Sequence, residues 1–527
     1  MSFRQDRTNP STAVSGWKGR SNTPNGWPST RVSNWLNGNL MSLGGGGGWA
    51  AQFAFDAGTT GGNPHVGGIW VDTANSDEIY WWCTPANGWT GYETRSCWGR
   101  MSSDASTHTW QVTIDNPSTN IQWQYNACRG LQDGTIDSDG GASDYIIGWG
   151  RTYETGGGFY GLTPLVVKKS DGDLYMSKRM GANSSVMYIA PGPAAMSRPE
   201  NASARIIWGN RFYNPWTGTR GVWVARNNDM GGGAQAGTST SYTASMTPIY
   251  KGTSGSSASG NLYSLSRDGS SNMALWHTND GTSDFDGAGA GGVYFANSSP
   301  SGDSGYFLHD GTDSNVGYAF FCRVAPFRIY RTLLGSTAQS WAKTYSHSSG
   351  NTLETGYGDT IGYAMLDGTD DNILICGRVA NPGTGDDGAG NYYHTWIASI
   401  KGSDGSVNWS RCINGLFDSA NKEYSSNSIS VYGDNVYVMM CPAVTGAWMQ
   451  MLKFNKNSPP AIGTYTYPTT GDTIQIYNGN VSAATYGSST AETNWTTPDP
   501  TSTSPLTISS HAPTDASATY SVYKVDV

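Results

Sequence analysis

The sequence predicts an all-β protein folded as a single β-propeller of eight blades, with seven blades as the alternative. Three observations predict it: an unusual composition, the lack of helical periodicity, and a strand pattern that recurs along the chain. Charged residues make up 13% of the 527 residues and aromatic residues 12%, and glycine occupies 70 positions. No apolar run with a period near 3.6 is longer than about two turns. Such a chain favours short strands joined by tight turns.

One stretch of the chain repeats clearly. Residues 305–316 align with residues 362–373 at an offset of 57 (362 − 305). Each copy predicts a strand, a turn at Asp310-Gly311 or Asp367-Gly368, and a second strand. Asp-Gly supplies the positive φ that a tight hairpin needs, and the apolar residue after Asn opens the next strand.

Weaker copies of this strand opening occur at six further positions. The pattern thus recurs at eight positions, which we call stations, and this predicts eight blades. Leu262 marks the weakest station, and seven blades would remain if residues 227–300 were an insertion. The apolar residues that mark the stations are Ile79, Ile146, Ile206, Leu262, Val316, Ile373, Val436 and Val481.

A second signal follows most stations. An alternating strand leads through a polar turn to a strand that carries an aromatic residue, which predicts the outer hairpin of a blade. The aromatic residues of the three clear examples are Tyr175, Trp341 and Trp409. Two further pairs fit more loosely, Trp110 with Trp123 and Met451 with Tyr465.

At these residues the chain resembles quinoprotein-type and related bacterial β-propeller repeats, in which a strand, an Asp-Gly turn and a Trp-bearing strand close each blade. The resemblance covers residues 66–527 and implies an architecture without a particular chemistry. Ser403-Asp404-Gly405 and Trp409 come close to the sequence box of sialidase-like propellers, but their order differs from it.

The two ends of the propeller are predicted to meet. The C-terminal strand, residues 520–527, would leave an open edge, and residues 49–56 are predicted to cover it and close the last blade. Residues 49–527 would therefore form the propeller, with a long loop at residues 488–505.

Residues 1–48 differ from the rest and are predicted to form an extended Gly/Ser/Asn-rich docking arm. They contain five consecutive glycines, Gly44 to Gly48, and too few apolar residues for a core. The alternative is an unstructured tail. The predicted anchors of the arm are Trp17, Trp27, Trp35 and Leu36.

Charge and hydropathy exclude several classes of function. The net charge is −9 and the pI about 5.2, with lysine and arginine scattered, which argues against nucleic acid as a partner. No apolar run approaches the length of a membrane span, and the first residues lack the apolar core of a signal peptide. The seven cysteines have no zinc-site spacing and are predicted to be buried free thiols, with a Cys83–Cys97 bridge as the alternative.

The sequence predicts no catalytic set, no metal site and no cofactor. Its seven histidines are scattered, and neither a nucleophile elbow nor a phosphate loop is present. Four aspartates could serve glycoside hydrolysis or bind Ca²⁺, but turn formation is the favoured interpretation. They are Asp370, Asp371, Asp386 and Asp387.

Tryptophans supply the predicted binding residues. They could stack on sugar rings or on neighbouring subunits, and the alternative is packing between blades. Trp81 and Trp82 alternate along one strand, so one is expected to be buried and the other to face outward. The candidate binding residues are Trp89, Trp216, Trp223, Trp396 and Trp448.

Composition and layout resemble the propeller-containing structural and tail proteins of marine tailed phages, particularly in the glycine run from Leu43 to Trp49 ahead of an all-β body. The resemblance implies a non-enzymatic virion protein of the tail, baseplate or fibre region, made in the host cytoplasm. Other virion proteins would be its partners, as a homo-oligomer or in many copies, with a host-surface glycan or receptor as a further ligand. The alternatives are a glycan-cleaving propeller enzyme and a bacterial surface lectin or scaffold.

Overall fold

The structure is a computed structural model, and the chain divides into two compact units, Met1–Gly47 and Gly48–Val527. The predicted docking arm lies outside the described residues except for its last two. The structure describes residues 47–54, 63–73, 75–86, 92–93, 95–118, 121–124, 131–134, 145–154, 160–182, 196–197, 206–213, 220–227, 234–239, 243–250, 262–267, 273–277, 291–295, 305–309, 316–321, 327–333, 339–348, 353–354, 364–366, 372–380, 393–416, 424–442, 448–487 and 507–527.

The regular secondary structure of the described residues is β-strand throughout. The first strands in chain order are β1 (Trp49–Ala54), β2 (Asn63–Asp72), β3 (Glu78–Ala86), β4 (Tyr92–Glu93), β5 (Arg95–Met101), β6 (His108–Asp115), β7 (Ile121–Gln124), β8 (Leu131–Gly134), β9 (Tyr145–Glu154), β10 (Tyr160–Lys168), β11 (Leu174–Ala182), β12 (Met196–Ser197), β13 (Ile206–Tyr213), β14 (Arg220–Asn227), β15 (Ala234–Ser239), β16 (Thr243–Tyr250), β17 (Leu262–Arg267), β18 (Met273–His277) and β19 (Gly291–Phe295). The remaining strands are β20 (Gly305–His309), β21 (Val316–Phe321), β22 (Phe327–Leu333), β23 (Gln339–His347), β24 (Leu353–Glu354), β25 (Ala364–Leu366), β26 (Ile373–Ala380), β27 (Tyr393–Ile400), β28 (Val407–Leu416), β29 (Tyr424–Tyr432), β30 (Asn435–Pro442), β31 (Trp448–Asn455), β32 (Gly463–Thr466), β33 (Thr473–Asn478), β34 (Val481–Thr485), β35 (Thr507–Ser510), β36 (Thr514–Ser517) and β37 (Ser521–Asp526).

The described strands form seven antiparallel sheets, numbered here in chain order. The sheets have the strand orders β2-β3-β5-β6-β36 (sheet 1), β4-β7-β9-β10-β11-β35 with β8 also on β9 (sheet 2), β12-β13-β14-β15 (sheet 3), β16-β17-β18-β19 (sheet 4), β20-β21-β22-β23-β34 (sheet 5), β24-β26-β27-β28-β33-β32 with β25 also on β26 (sheet 6), and β29-β30-β31-β1-β37 (sheet 7).

Seven of the eight predicted stations fall within the first two residues of an inner strand of a sheet. Leu262 begins β17 within its own four-stranded sheet, so this station belongs to a sheet of its own, as the six others do. The eighth station, Val481, begins β34, which pairs with β23 on the outer edge of sheet 5. It therefore does not open an eighth sheet, because the local signal for a strand opening does not specify which edge the strand joins.

The three clear hairpins are found where the sequence predicts them. The prediction that the two looser pairs also form hairpins is wrong. Tyr175, Trp341 and Trp409 lie on β11, β23 and β28, each paired with the strand before it. Trp110 and Trp123 instead lie in sheets 1 and 2, and Met451 and Tyr465 lie in sheets 7 and 6. Both looser pairs join strands of neighbouring sheets.

The apolar core lies between neighbouring sheets, in clusters that join sheets 1 and 2, 5 and 6, 6 and 7, and 7 and 1. Trp81 packs in the cluster between sheets 7 and 1, at 5.3 Å from the Phe53 ring. Trp82 packs on the other face of sheet 1 and stacks on Trp98 at 4.5 Å. Both side chains are buried, so the prediction that one of them faces outward is wrong. Both faces of sheet 1 are covered by another sheet.

A tryptophan on the fourth strand of one sheet bonds to a turn of the next sheet, and we call this contact a latch. The Trp110 indole N–H donates to the Lys169 carbonyl at 2.9 Å, and that of Trp341 donates to the Gly402 carbonyl at 2.8 Å. Trp49 on β1 does the same towards Ser103 at 3.2 Å. The three latches join sheet 1 to sheet 2, sheet 5 to sheet 6, and sheet 7 to sheet 1.

Two of the turns that receive the latches share one design. Gly172 and Gly405 have φ values of +84° and +73°, and a Cβ on either would lie within 3 Å of the Trp110 or Trp341 ring. The aspartate before each glycine accepts a backbone N–H two residues ahead, Asp171 from Asp173 at 3.0 Å and Asp404 from Ser406 at 2.8 Å. Glycine is needed there for its φ and for the ring that lies on it. We call this end of the sheets the latch end, and the opposite end the polar end.

The last five strands, β33 to β37, do not form a sheet of their own. Each of them adds a strand to a different sheet. From β33 to β37 they pair in turn with β28, β23, β11, β6 and β1. They therefore join sheets 6, 5, 2, 1 and 7 in that order. The chain thus runs back past the sheets in the reverse of the order in which it formed them. We call residues 473–527 the strap.

β1 lies between β31 and β37 and pairs antiparallel with both. The pairing expected between the strand at Trp49 and the C-terminal strand is thus present. Trp49, Ala50, Ala51 and Phe53 are buried at 2% exposure or less. The first strand of the described chain therefore holds the last strand in place.

Candidate functional site

The predicted binding tryptophans separate into three groups. Trp89 and Trp216 lie outside the described residues, as do Asp370, Asp371, Asp386 and Asp387. Trp223 and Trp448 lie on β14 and at the start of β31, where the structure describes the backbone. Trp396 is fully buried between sheets 5 and 6, where its ring is 6.3 Å from that of Phe327. Trp396 therefore has a packing role. The prediction that it binds a ligand at the surface is wrong, because a ring with no exposed surface cannot stack on a sugar.

Buried polar side chains collect at the polar end of sheet 6. Arg378 on β26, His394 and Thr395 on β27, and Asn414 on β28 are exposed by 4% or less. The strand β26 is otherwise apolar from Ile373 to Cys376, so its polarity rises towards this end. Burial of an arginine or histidine is unfavourable unless the side chain is hydrogen-bonded or paired, so these side chains need polar partners within the sheet or beside it.

His394 bonds across the sheet to the outer strand. Its Nδ1 is hydrogen-bonded to the Tyr477 hydroxyl, and the two rings meet edge to face at 5.8 Å. Cys412, between them on β28, also interacts with the Tyr477 hydroxyl, and burial raises the pKa of its thiol to about 12. The thiol is therefore protonated near neutral pH and is not an activated nucleophile.

The first strand of sheet 6 brings an acidic residue into register with this group. Glu354 on β24 lies opposite Arg378 on β26 in the strand register. Cleavage of a glycoside needs two carboxylates, and Glu354 is the single acidic residue that the described inner strands of sheet 6, β24 to β27, place at their polar end.

A second polar group has the outline of a hydrolase triad. The Ser177 hydroxyl lies 2.6 Å from Nδ1 of His511, whose Nε2 donates to Oδ1 of Asn116 at 2.9 Å. Because an amide oxygen only accepts, Nδ1 of the neutral ring is free to accept from Ser177. All three residues are exposed by only 6–7%. A nucleophile must reach its substrate, so this arrangement fastens the strap to sheets 1 and 2.

Neither polar group has a signal in the sequence. His394 and Tyr477 are 83 residues apart, and Ser177 and His511 are 334 apart. Metal-site spacing requires histidines that lie near one another along the chain, so single histidines that join distant strands leave no such pattern in the sequence. In the part of the chain that the structure describes, no group of three or more His, Cys, Asp or Glu residues could hold a metal ion.

Comparisons with known proteins give little. No family model matches the chain, and no curated protein matches it. Among solved structures, an α-L-arabinanase from Penicillium chrysogenum complexed with arabinobiose is 9% identical, covering 77% of this chain and 97% of its own, with a TM-score of 0.38. Within the described residues, no helix is long and apolar enough to cross a membrane.

Proposed function

We propose that residues 49–527 form a β-propeller of seven blades that acts as a non-enzymatic structural and binding protein of a tailed-phage virion. One observation carries the architecture: the first and last sheets are neighbours. β2 contacts β29 and β30, and the cluster between sheets 7 and 1 includes Phe53, Trp81 and Met439. A chain whose successive sheets pack side by side brings its first and last sheets together when they are arranged around one axis.

Contacts between other successive sheets support the same arrangement. β13 contacts β16 and β16 contacts β20, which joins sheets 3, 4 and 5. Apolar clusters join sheets 5, 6 and 7, and another joins sheets 1 and 2. The strap visits its five sheets in the order that a ring requires.

A binding role is supported by the polar end of the sheets. Arg378 and Glu354 lie in register there, and β3, β13 and β26, the strands that precede Trp89, Trp216 and Asp386 in the sequence, end at the corresponding ends of sheets 1, 3 and 6. Segments on a rigid scaffold are where binding residues usually occur. The proposed ligands are a neighbouring virion subunit and a host-surface glycan or receptor.

The virion assignment rests on the low charge, the glycine run and the separate N-terminal segment. Mass spectrometry of purified virions tests it: we expect peptides of this chain at a stoichiometry of several copies per particle. Absence from washed particles, with the protein present in the infected-cell lysate, would end the proposal.

A glycan-cleaving enzyme is the competing function, and an assay separates it from binding. The protein is incubated with host-surface polysaccharide, and release of reducing ends is measured beside retention of the polysaccharide on immobilised protein. We expect retention without release. Release that is lost in Glu354→Gln but kept in Tyr175→Ala, a change at the latch end, would favour the enzyme.

A further inference from the structure

The C-terminal part of the strap, residues 507–527, is attached differently from the strands beneath it. All four side chains of β36 are exposed, and those of β37 are partly or fully exposed. The strands that carry it keep their own partners, since β6 pairs with β5 and β11 pairs with β10. This part of the strap therefore adds backbone hydrogen bonds, and apolar side chains such as Val522 and Val525 pack on the clusters of sheets 7 and 1 and of sheets 6 and 7 while they stay partly exposed.

Tyr520 is the most deeply buried aromatic side chain of this segment. Tyr520, between β36 and β37, is 4% exposed and its ring lies 5.9 Å from that of Trp81. Its phenol interacts with the Cys97 thiol, which lies opposite Cys83 in the register of β3 and β5. Both cysteines are free and fully buried. Tyr520 therefore covers a pair of thiols between sheets 7 and 1.

Gln111 clamps the backbone of this residue. Its Oε1 accepts from the Tyr520 N–H at 2.6 Å, and its Nε2 donates to the Tyr520 carbonyl at 3.2 Å. Between β35 and β36, the His511 ring joins Ser177 and Asn116, as described above. The segment is thus fixed by a few side chains at the places where it crosses from one sheet to the next.

We infer that residues 507–527 open and close as one unit while the sheets beneath stay folded, with Tyr520 as the anchor. A segment whose strands keep most of their side chains partly or fully exposed opens at a lower free energy than the core strands that it covers. Opening uncovers Cys83 and Cys97 and frees the pairing edges of β11, β6 and β1. The closed strap thereby guards three sheet edges that would otherwise be open to pairing with another chain.

Thiol labelling of the full-length native protein tests this inference. A maleimide is added, and the labelling rate of each cysteine is measured by peptide mass spectrometry. We expect Cys97 and Cys83 to label at least about tenfold faster than Cys376 and Cys412, which lie in the core between other sheets. Equal rates at all four positions would mean that the strap opens only when the whole protein unfolds.

Variants at His511 test whether the segment opens as one unit. His511 does not contact the thiols, so His511→Ala raises the labelling rate of Cys97 by about tenfold only if the two ends of the segment are coupled. Ser177→Ala removes one of the same bonds and is expected to act in the same direction with a smaller effect. Tyr175→Ala, an exposed position on the same strand β11, is the matched control and is expected to change nothing.

The outcomes are distinct. An unchanged Cys97 rate in both His511→Ala and Ser177→Ala, with native circular dichroism, would overturn the inference. Equal acceleration of Cys97, Cys376 and Cys412 would also overturn it, because it would report global destabilisation. The inference rests on strand pairing and on side-chain contacts, and it does not depend on the proposed virion function.

Discussion

The latch end and the polar end of the sheets hold the protein together in different ways. At the latch end, a tryptophan and a turn from neighbouring sheets meet, and the same contact recurs at Trp110, Trp341 and Trp49. At the polar end, the buried His394 on β27 bonds to Tyr477 on β33, a strand distant in sequence. The first kind of contact joins neighbouring sheets, and the second joins strands within sheet 6.

The largest loss of stability is expected from removing β1, the strand that carries the Trp49 latch. Deletion of residues 48–54 removes β1, the Trp49 latch and the partner of β37. We expect the melting temperature to fall by more than about 10 °C, because buried aromatic residues are lost together with two strand pairings. Differential scanning calorimetry measures it.

Deletion of residues 1–40 is the control for that experiment, because the arm is predicted to dock on other subunits. Its melt is expected to match that of the full chain. Equal melts for all three proteins would show that the Trp49 latch is dispensable.

The turn glycines provide the second test. Gly172→Ala forces a side chain into a left-handed backbone and against the Trp110 ring, 2.6 Å from the new Cβ. We expect a loss of about 2–4 kcal/mol in the free energy of unfolding, measured with urea. Gly433→Ala is the matched control, with φ +58° and no atom within 4 Å of a Cβ.

That control is expected to lose about 1 kcal/mol, since only the backbone conformation opposes it. If the two substitutions cost the same, the ring contact would contribute nothing and the latch would lose its physical basis.

The third test uses pH at the latch end. His108 begins β6 and packs edge to face on Phe53 and Trp81. Burial lowers its pKa from 6.5 to about 4. The unfolded chain therefore binds the proton more readily, and stability is lost as the pH falls from 6.5 towards 4.

From pH 7 to pH 5 this loss is about 2 kcal/mol. Urea unfolding at both pH values measures it, and His108→Gln is expected to remove that part of the pH dependence. A variant that keeps the full dependence would assign it to other groups.

The smallest effect is expected at the polar end. Tyr477→Phe removes the hydroxyl that bonds to His394 and keeps the ring. We expect a loss of about 1 kcal/mol in the free energy of unfolding, typical of one buried hydrogen bond. A loss as large as that of Gly172→Ala would contradict the different roles of the two ends.

Much of the strand content and of the latch turns could be predicted from the sequence. Asp171-Gly172 and Asp404-Gly405 signal tight turns because few residues adopt the φ of their glycines, and the aromatic strand that follows is visible in each case. The buried side of Trp82 could not be predicted, since alternation distinguishes two faces but not whether both are covered. The burial of Trp396 could not be predicted for the same reason.

The sequence by itself determined the strands, their turns and seven of the eight stations, because these depend on alternation and on φ preferences within a few residues. Only the tertiary structure decided that Val481 joins sheet 5 and that the chain then runs back along sheets 2, 1 and 7. It also decided that His511 meets Ser177 and Asn116. A strand pairs with whichever edge the folded body leaves open, and that edge is created by residues hundreds of positions away.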